Sequence, residues 1–157
     1  MAGLNDKFVL EIKKDVAKTI EEIFLYKKRV AIDLFSRVIN DSPAETGRFR
    51  ANWYVTQTQP SNRYNPNGRD NVAGTGPGIN KDANGVAKDR MVNRVEAMKK
   101  PSGHIYLANN SPYGDVLEYG LYPKGNDDGK TTVKGFSKKA PEGMVDKNVI
   151  IVKAGLK

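Results

Sequence analysis

The sequence predicts an α+β domain, and three observations carry that expectation. Apolar residues recur at steps of three and four from the N-terminus to about Ile39, the period drops to two after Pro43-Gly47, and a second short alternating run opens at His104. The expected architecture is a long N-terminal amphipathic helix packed on a small antiparallel β-sheet, with short additional helices and two long polar loops, all in one domain spanning residues 1–157.

The helix is expected from about Leu4 to Ile39. Phe8, Ile12, Val16, Ile20, Ile23, Val30, Leu34 and Val38 form one stripe, with Lys27 filling the single missing rung. Asn5 or Asp6 is placed to cap its start. At about 1.5 Å per residue such a helix approaches 50 Å, longer than a small domain is wide. It must therefore bend, break near Tyr26–Arg29, or project toward a neighbour. Asn40-Asp41-Ser42-Pro43 stops it, because the residue before proline is driven out of helical geometry.

Thr46-Gly47-Arg48 reads as a turn. Phe49, Ala51, Trp53 and Val55 then alternate with polar neighbours, which predicts a strand over about 49–58 with Trp53 as a core anchor. From Gln59 to Gly85 the chain is rich in Asn, Gly, Pro and Asp without period, a first long loop. Its Gly74-Thr75-Gly76-Pro77-Gly78 lacks the Gly-Lys-Ser/Thr continuation of a phosphate-binding loop. Val86 to Lys99 reads as a short helix with Val86 or Ala87, Met91, Val95 and Met98 on one face. A second strand is expected at about 103–108 and a short helix from Tyr113 to Tyr119, ended by Gly120. A second polar loop covers Tyr122 to Gly135, with a hairpin tip at Asp128-Gly129. The closing segment, Met144 to Val152, is compatible with helix or strand.

Composition narrows the function classes. The chain has no cysteine, which excludes disulfides, thiol chemistry and Cys-based metal sites. No apolar run reaches membrane-spanning length, and the first residues lack the basic-then-apolar order of a signal peptide, so a soluble protein made in a cytoplasm is expected. Mean hydropathy is −0.60 and the net charge is +8. Residues 60–103 carry 8 Lys/Arg against 4 Asp/Glu, half of that excess, but no block has the density of a basic tail. The sole histidine, His104, has no obvious partner, and Asp115 with Glu118 fits a solvated helix face better than an acid–base pair. The chain is expected to have no catalytic residues, no cofactor and no metal.

Aromatic and charged residues at the turns point to an interaction protein. Arg48 and Arg50 stand beside one glycine turn, and Tyr113, Glu118 and Tyr119 stand before another. With Arg63 and Arg69 in the first loop and Lys124 and Lys130 in the second, they form the candidate surface for subunit or partner contacts. The same residues equally fit an internal cluster in which Arg48 pairs with Glu45 or Glu118. Both loops have too few apolar residues to bury themselves, so they are expected to be mobile in the free subunit and to order against neighbours.

The blocks Ser42-Pro43-Ala44-Glu45-Thr46-Gly47-Arg48 with Trp53, Ile105-Tyr106-Leu107-Ala108-Asn109-Asn110, Pro112-Tyr113, Leu117-Glu118-Tyr119-Gly120 and Ser137-Lys138-Lys139-Ala140-Pro141-Glu142-Gly143-Met144-Val145, in this order after one long helix, resemble the neck and tail-completion proteins of tailed bacteriophages. With the helix they cover about two thirds of the chain. An insertion of about fifteen residues between Gly120 and Phe136, and Ala44-Glu45 where Val-Asp is usual, depart from the family pattern. The resemblance implies a virion structural protein, six copies of which form a ring around the DNA channel at the head-to-tail junction, where non-specific contact with the DNA is open to it. It also implies portal or adaptor, tail-tube and terminator proteins as partners, no membrane, and no catalytic residues. The family includes tail terminators and head-side connectors. The alternative from another class is a basic nucleic-acid-binding module of phage origin, although no helix-turn-helix, zinc knuckle or ribonucleoprotein motif is present.

Overall fold

In the computed structural model the protein is α+β. The structure describes residues 4–44, 46–70, 85–99, 101, 103–123 and 128–156. Helix α1 runs from Leu4 to Asp41 without interruption, and Asp6 lies in its first turn rather than before it. It is followed by α2 (Arg48–Ala51), β1 (Trp53–Thr56), α3 (Val86–Glu96), β2 (Tyr106–Asn109), α4 (Gly114–Tyr119) and α5 (Asp146–Gly155). The ambiguous closing segment is thus a helix.

The two halves of α1 have different surroundings. Every residue from Asn5 to Ile23 is exposed, and Phe24 is the first buried one. From there Phe24, Ala31, Phe35, Val38 and Ile39 enter the core, which α3 completes with Ala87, Met91 and Val95. Lysines mark where the helix meets the body: Lys28 donates to the Glu96 carbonyl at 2.9 Å and lies over the Phe24 ring, and Lys27 donates to the Gly103 carbonyl. The free half is about 30 Å long at the α-helical rise. Of the three outcomes open to the long helix, the structure takes projection.

β1 and β2 pair antiparallel, Trp53 opposite Asn109 and Thr56 opposite Tyr106. The expected first strand is shorter than its alternation implied. Residues 48–51 form a helical turn, because Phe49, Arg50 and Ala51 are all buried and a strand would bring only one face inward. The second strand likewise starts at Tyr106 and runs to Asn109. Gly47 has φ 67°, and a Cβ there would stand 2.3 Å from the Asp70 carbonyl oxygen, so the turn feeding α2 requires glycine. Gly120 ends α4 with φ 68°, where a Cβ would reach 1.9 Å from the Gly135 carbonyl oxygen.

The described parts of the two loops are tied to the body. Asn52 is fully buried; its Nδ2 donates to the carbonyls of Arg48 and Asn65, each at 2.9 Å, and its Oδ1 accepts from the Asn65 amide at 2.6 Å. Asn110 Nδ2 holds the carbonyls of Ser61 and Arg63. The side chain of Asp70 accepts from the Ala87 amide at the start of α3. Hydrogen bonds thus tie residues 61, 63, 65 and 70 of the first loop to the body, while residues 71–84, with the Gly74–Gly78 run, lie outside the described residues. In the second loop Asp128-Gly129 lies in a turn, with Gly129 at φ 66°, and the arm expected to precede it, 124–127, lies outside the described residues; a further chain reversal sits around Val133-Lys134, where Thr131 bridges Ser137 and the Thr132 amide donates to the Phe136 carbonyl at 2.7 Å. Phe136 follows the reversal and brings Ser137 inward, where its Oγ meets the Tyr122 hydroxyl at 3.0 Å.

Asn52→Asp places a second acceptor against two carbonyls at a fully buried site. It is expected to cost about 2–3 kcal/mol in urea denaturation, with faster amide exchange at Asn65. A loss below about 0.5 kcal/mol would mean that the 57–70 segment is held by other contacts.

Candidate functional site: a cationic pocket and a projecting helix

The candidate residues fall into three groups. Arg50, expected as a partner contact, is fully buried. Its Nε donates to the Ile39 carbonyl at 2.8 Å and its Nη2 to the Asn40 carbonyl at 3.3 Å. These carbonyls belong to the last turn of α1, which has no basic residue of its own, so the guanidinium satisfies orphan acceptors and opposes the negative end of the helix dipole. Burial pulls its pKa below the ordinary arginine value, and the nearby carboxylates of Asp70 and Asp41 act the other way.

Glu118 is corrected in the same way. It is buried, and its carboxylate accepts from the amides of Met144 at 2.7 Å, Val145 at 3.0 Å and Asp146 at 3.1 Å, where the chain enters α5. It acts as an N-terminal cap delivered across 26 residues of sequence, and the anion sits at the positive end of the helix. It does not pair with Arg48; Glu45, the other proposed partner, lies outside the described residues. Lys124 lies outside them as well. Tyr119 is exposed beside this cap, and its phenol is pushed to a higher pKa chiefly by the Asp146 carboxylate. Arg63 borders a groove between β1 and α3, while Arg69 Nη1 donates to the neighbouring Gly68 carbonyl.

Arg48, Tyr113 and Lys130 do come together. They line an open pocket of about 710 Å³ between α2, α4 and the 129–139 segment. Its floor is apolar and aromatic, built from Phe49, Tyr113, Val116, Leu117 and Tyr122, with Phe49 and Tyr113 rings 5.7 Å apart. Its rim carries Arg48, Lys130, Lys138 and Lys139 and, among the described residues, no carboxylate. Lys130 Nζ lies 5.7 Å from the centre of the Tyr122 ring. The Arg48 Nε is sealed from solvent without a hydrogen-bond partner. Burial raises the Tyr113 pKa, partly offset by its hydrogen bond with Ser111. Lys138 and Lys139 were missed by sequence inspection; their signal was the Lys-Lys pair inside the Ser137–Val145 block.

The second surface is the stripe on the free half of α1. Phe8 is 60% exposed and Ile23 61%, with Ile12, Val16 and Ile20 between them. A smaller apolar face lies on α5, where Ile150 is 69% exposed. Among the described residues no helix is long and apolar enough to cross a membrane, and no group of His, Asp and Glu is arranged to hold a metal ion. No family model, curated protein or solved structure matches the chain.

Glu118→Ala leaves three amides at the start of α5 without their acceptor. The expected loss is about 2–3 kcal/mol of unfolding free energy with reduced helical ellipticity, and Glu118→Gln should lose less. Unchanged stability in both variants would show that water or Tyr119 replaces the cap.

Proposed function

We propose that the chain is a virion structural subunit of a tailed bacteriophage, assembling into a ring at the head-to-tail junction around the DNA channel. The observation that carries the proposal is the free half of α1. A row of large apolar side chains held about 30 Å out along a continuous helix has no partner among the described residues, and contiguous apolar surface of this kind marks a protein contact. A closed ring requires each subunit to present two unlike, complementary surfaces. The helix stripe and the cationic pocket are two such surfaces.

The sequence blocks that resemble the neck and tail-completion proteins support the same conclusion. Their polar members are internal staples of this fold: Ser42 Oγ accepts from Trp53 Nε1 at 2.8 Å, Asn109 Nδ2 reaches the Phe49 carbonyl, and Glu118 caps α5. Such residues hold the framework that carries the helix stripe and the pocket. A nucleic-acid-binding role gains less support, because several arginines behind the positive charge are engaged internally. Arg90, for example, holds the carbonyls of Ala51 and Trp53 and lies over the Tyr54 ring.

Electron microscopy of the parent particle is expected to locate several copies around the channel between portal and tail. A chain found in infected cells but absent from purified particles ends the proposal. Removal of residues 1–20 takes from α1 only residues before its anchored part, those at 5–20 being exposed, and is expected to change the stability of the body by less than about 0.5 kcal/mol while abolishing incorporation into particles.

A further inference from the structure

Three of the five acidic residues of the free helix, Glu11, Asp15 and Glu22, fall on the flank of its apolar stripe next to Phe8, with Lys18 and Lys7 farther out on the same flank and Asp6 and Glu21 on other faces. At about 100° per residue, Glu11, Asp15 and Glu22 lie within about 60° of Phe8, along the edge of the row that continues through Ile12 and Val16. All three are exposed, and their carboxylates make no ion pair among the described residues. The free helix therefore offers an apolar ridge with an anionic border. The pocket between α2 and α4 offers the converse, an aromatic floor with a cationic rim that includes Arg48 and the exposed Lys138.

The two surfaces cannot meet within one molecule. The pocket begins at Pro43, immediately after the anchored end of α1, whereas Glu11 and Asp15 stand about 40 Å away along the uninterrupted helix. We propose that the free half of α1 of one copy seats in this pocket of a second copy. Phe8 and Ile12 lie on the floor, and Glu11 and Asp15 face Arg48 and Lys138. The proposal rests on the ring assembly above and names its repeating contact. The contact is heterologous, so it leaves the first copy's pocket and the second copy's helix open for further copies. The exposed face of α5 fits this partner less well: of its lysines, Lys147 is paired with Asp41 and Glu142, and Asp146 adds a like charge.

Reciprocal charge reversal in the full chain tests the contact. Arg48→Glu with Lys138→Glu reverses the pocket; Glu11→Lys with Asp15→Lys reverses the helix. Light scattering and sedimentation of each variant alone are expected to show association weakened by at least about tenfold and strongly salt-dependent in the wild type. Mixing the two variants is expected to restore association, because each then offers the surface the other needs. Lys138→Glu alone, at an exposed position, repeats the pocket arm if Arg48→Glu disturbs folding by circular dichroism. A wild-type chain that associates but ignores both reversals, a mixture that fails to recover, or association lost on Ile150→Lys but kept on pocket reversal overturns the pairing and leaves the ring itself standing. A wild-type chain that stays monomeric at every concentration overturns the second copy as occupant, while particle microscopy judges the junction assignment separately.

Discussion

The architecture depends on how the C-terminal end of α1 is terminated. A helix ends with carbonyls that have no intrahelical donor, and burying them unpaired costs more than most single contacts return. Here the solutions come from elsewhere in the chain. Ser42 Oγ donates to the Val38 carbonyl while accepting from Trp53, Arg50 takes the carbonyls of Ile39 and Asn40, and Asp41 receives Asn148 Nδ2 and Lys147. One helix end thereby gathers α2, β1 and α5. The projecting half owes its direction to this knot, because a helix frayed or hinged at Asp41 could not hold its other end in a defined place.

Much of this was legible in the sequence and some was not. The length of α1, the one-sided packing of α3 through Met91 and Val95, and the ending of α4 at Gly120 follow from periodicity and glycine placement, which are local signals. The turn at residues 48–51 was misread as strand because Phe49, Ala51, Trp53 and Val55 do alternate; the deciding fact, burial of the intervening Arg50, arises from acceptors more than ten positions back. A charged residue beside a glycine turn looks like surface until its partners are seen. Glu118 misled for the same reason, since its three donors lie beyond an insertion. For the candidate site, Arg48, Tyr113 and Lys130 were legible as turn residues, but their convergence into one pocket depends on chain reversals that no short window encodes.

Polar residues in this fold divide by whether their partners are backbone groups. Asn52, Asn109, Asn110, Arg50 and Glu118 all engage main-chain amides or carbonyls, and so replace regular secondary structure where the chain has little of it. With a sheet of two strands among the described residues, side-chain amides and carboxylates supply the cross-links that additional ladders would provide. The cations at the pocket rim are a different population. They surround apolar surface, where a charge is screened less than in open water and its attraction to an anion is stronger.

The free half of α1 has a consequence for the thermodynamics of capture. A detached peptide of that length would be marginally helical in water, because the first turn must be ordered before any return is gained. In this chain the anchored half serves as the nucleus, and each further residue extends an existing helix. A partner therefore meets a segment already close to its bound shape, and little chain entropy remains to be lost on contact. Temperature or denaturant would act on that readiness by shortening the helix from its tip, and a proline placed near Ile23 would act by cutting the free half from its nucleus, tuning the strength of association without touching the contact itself.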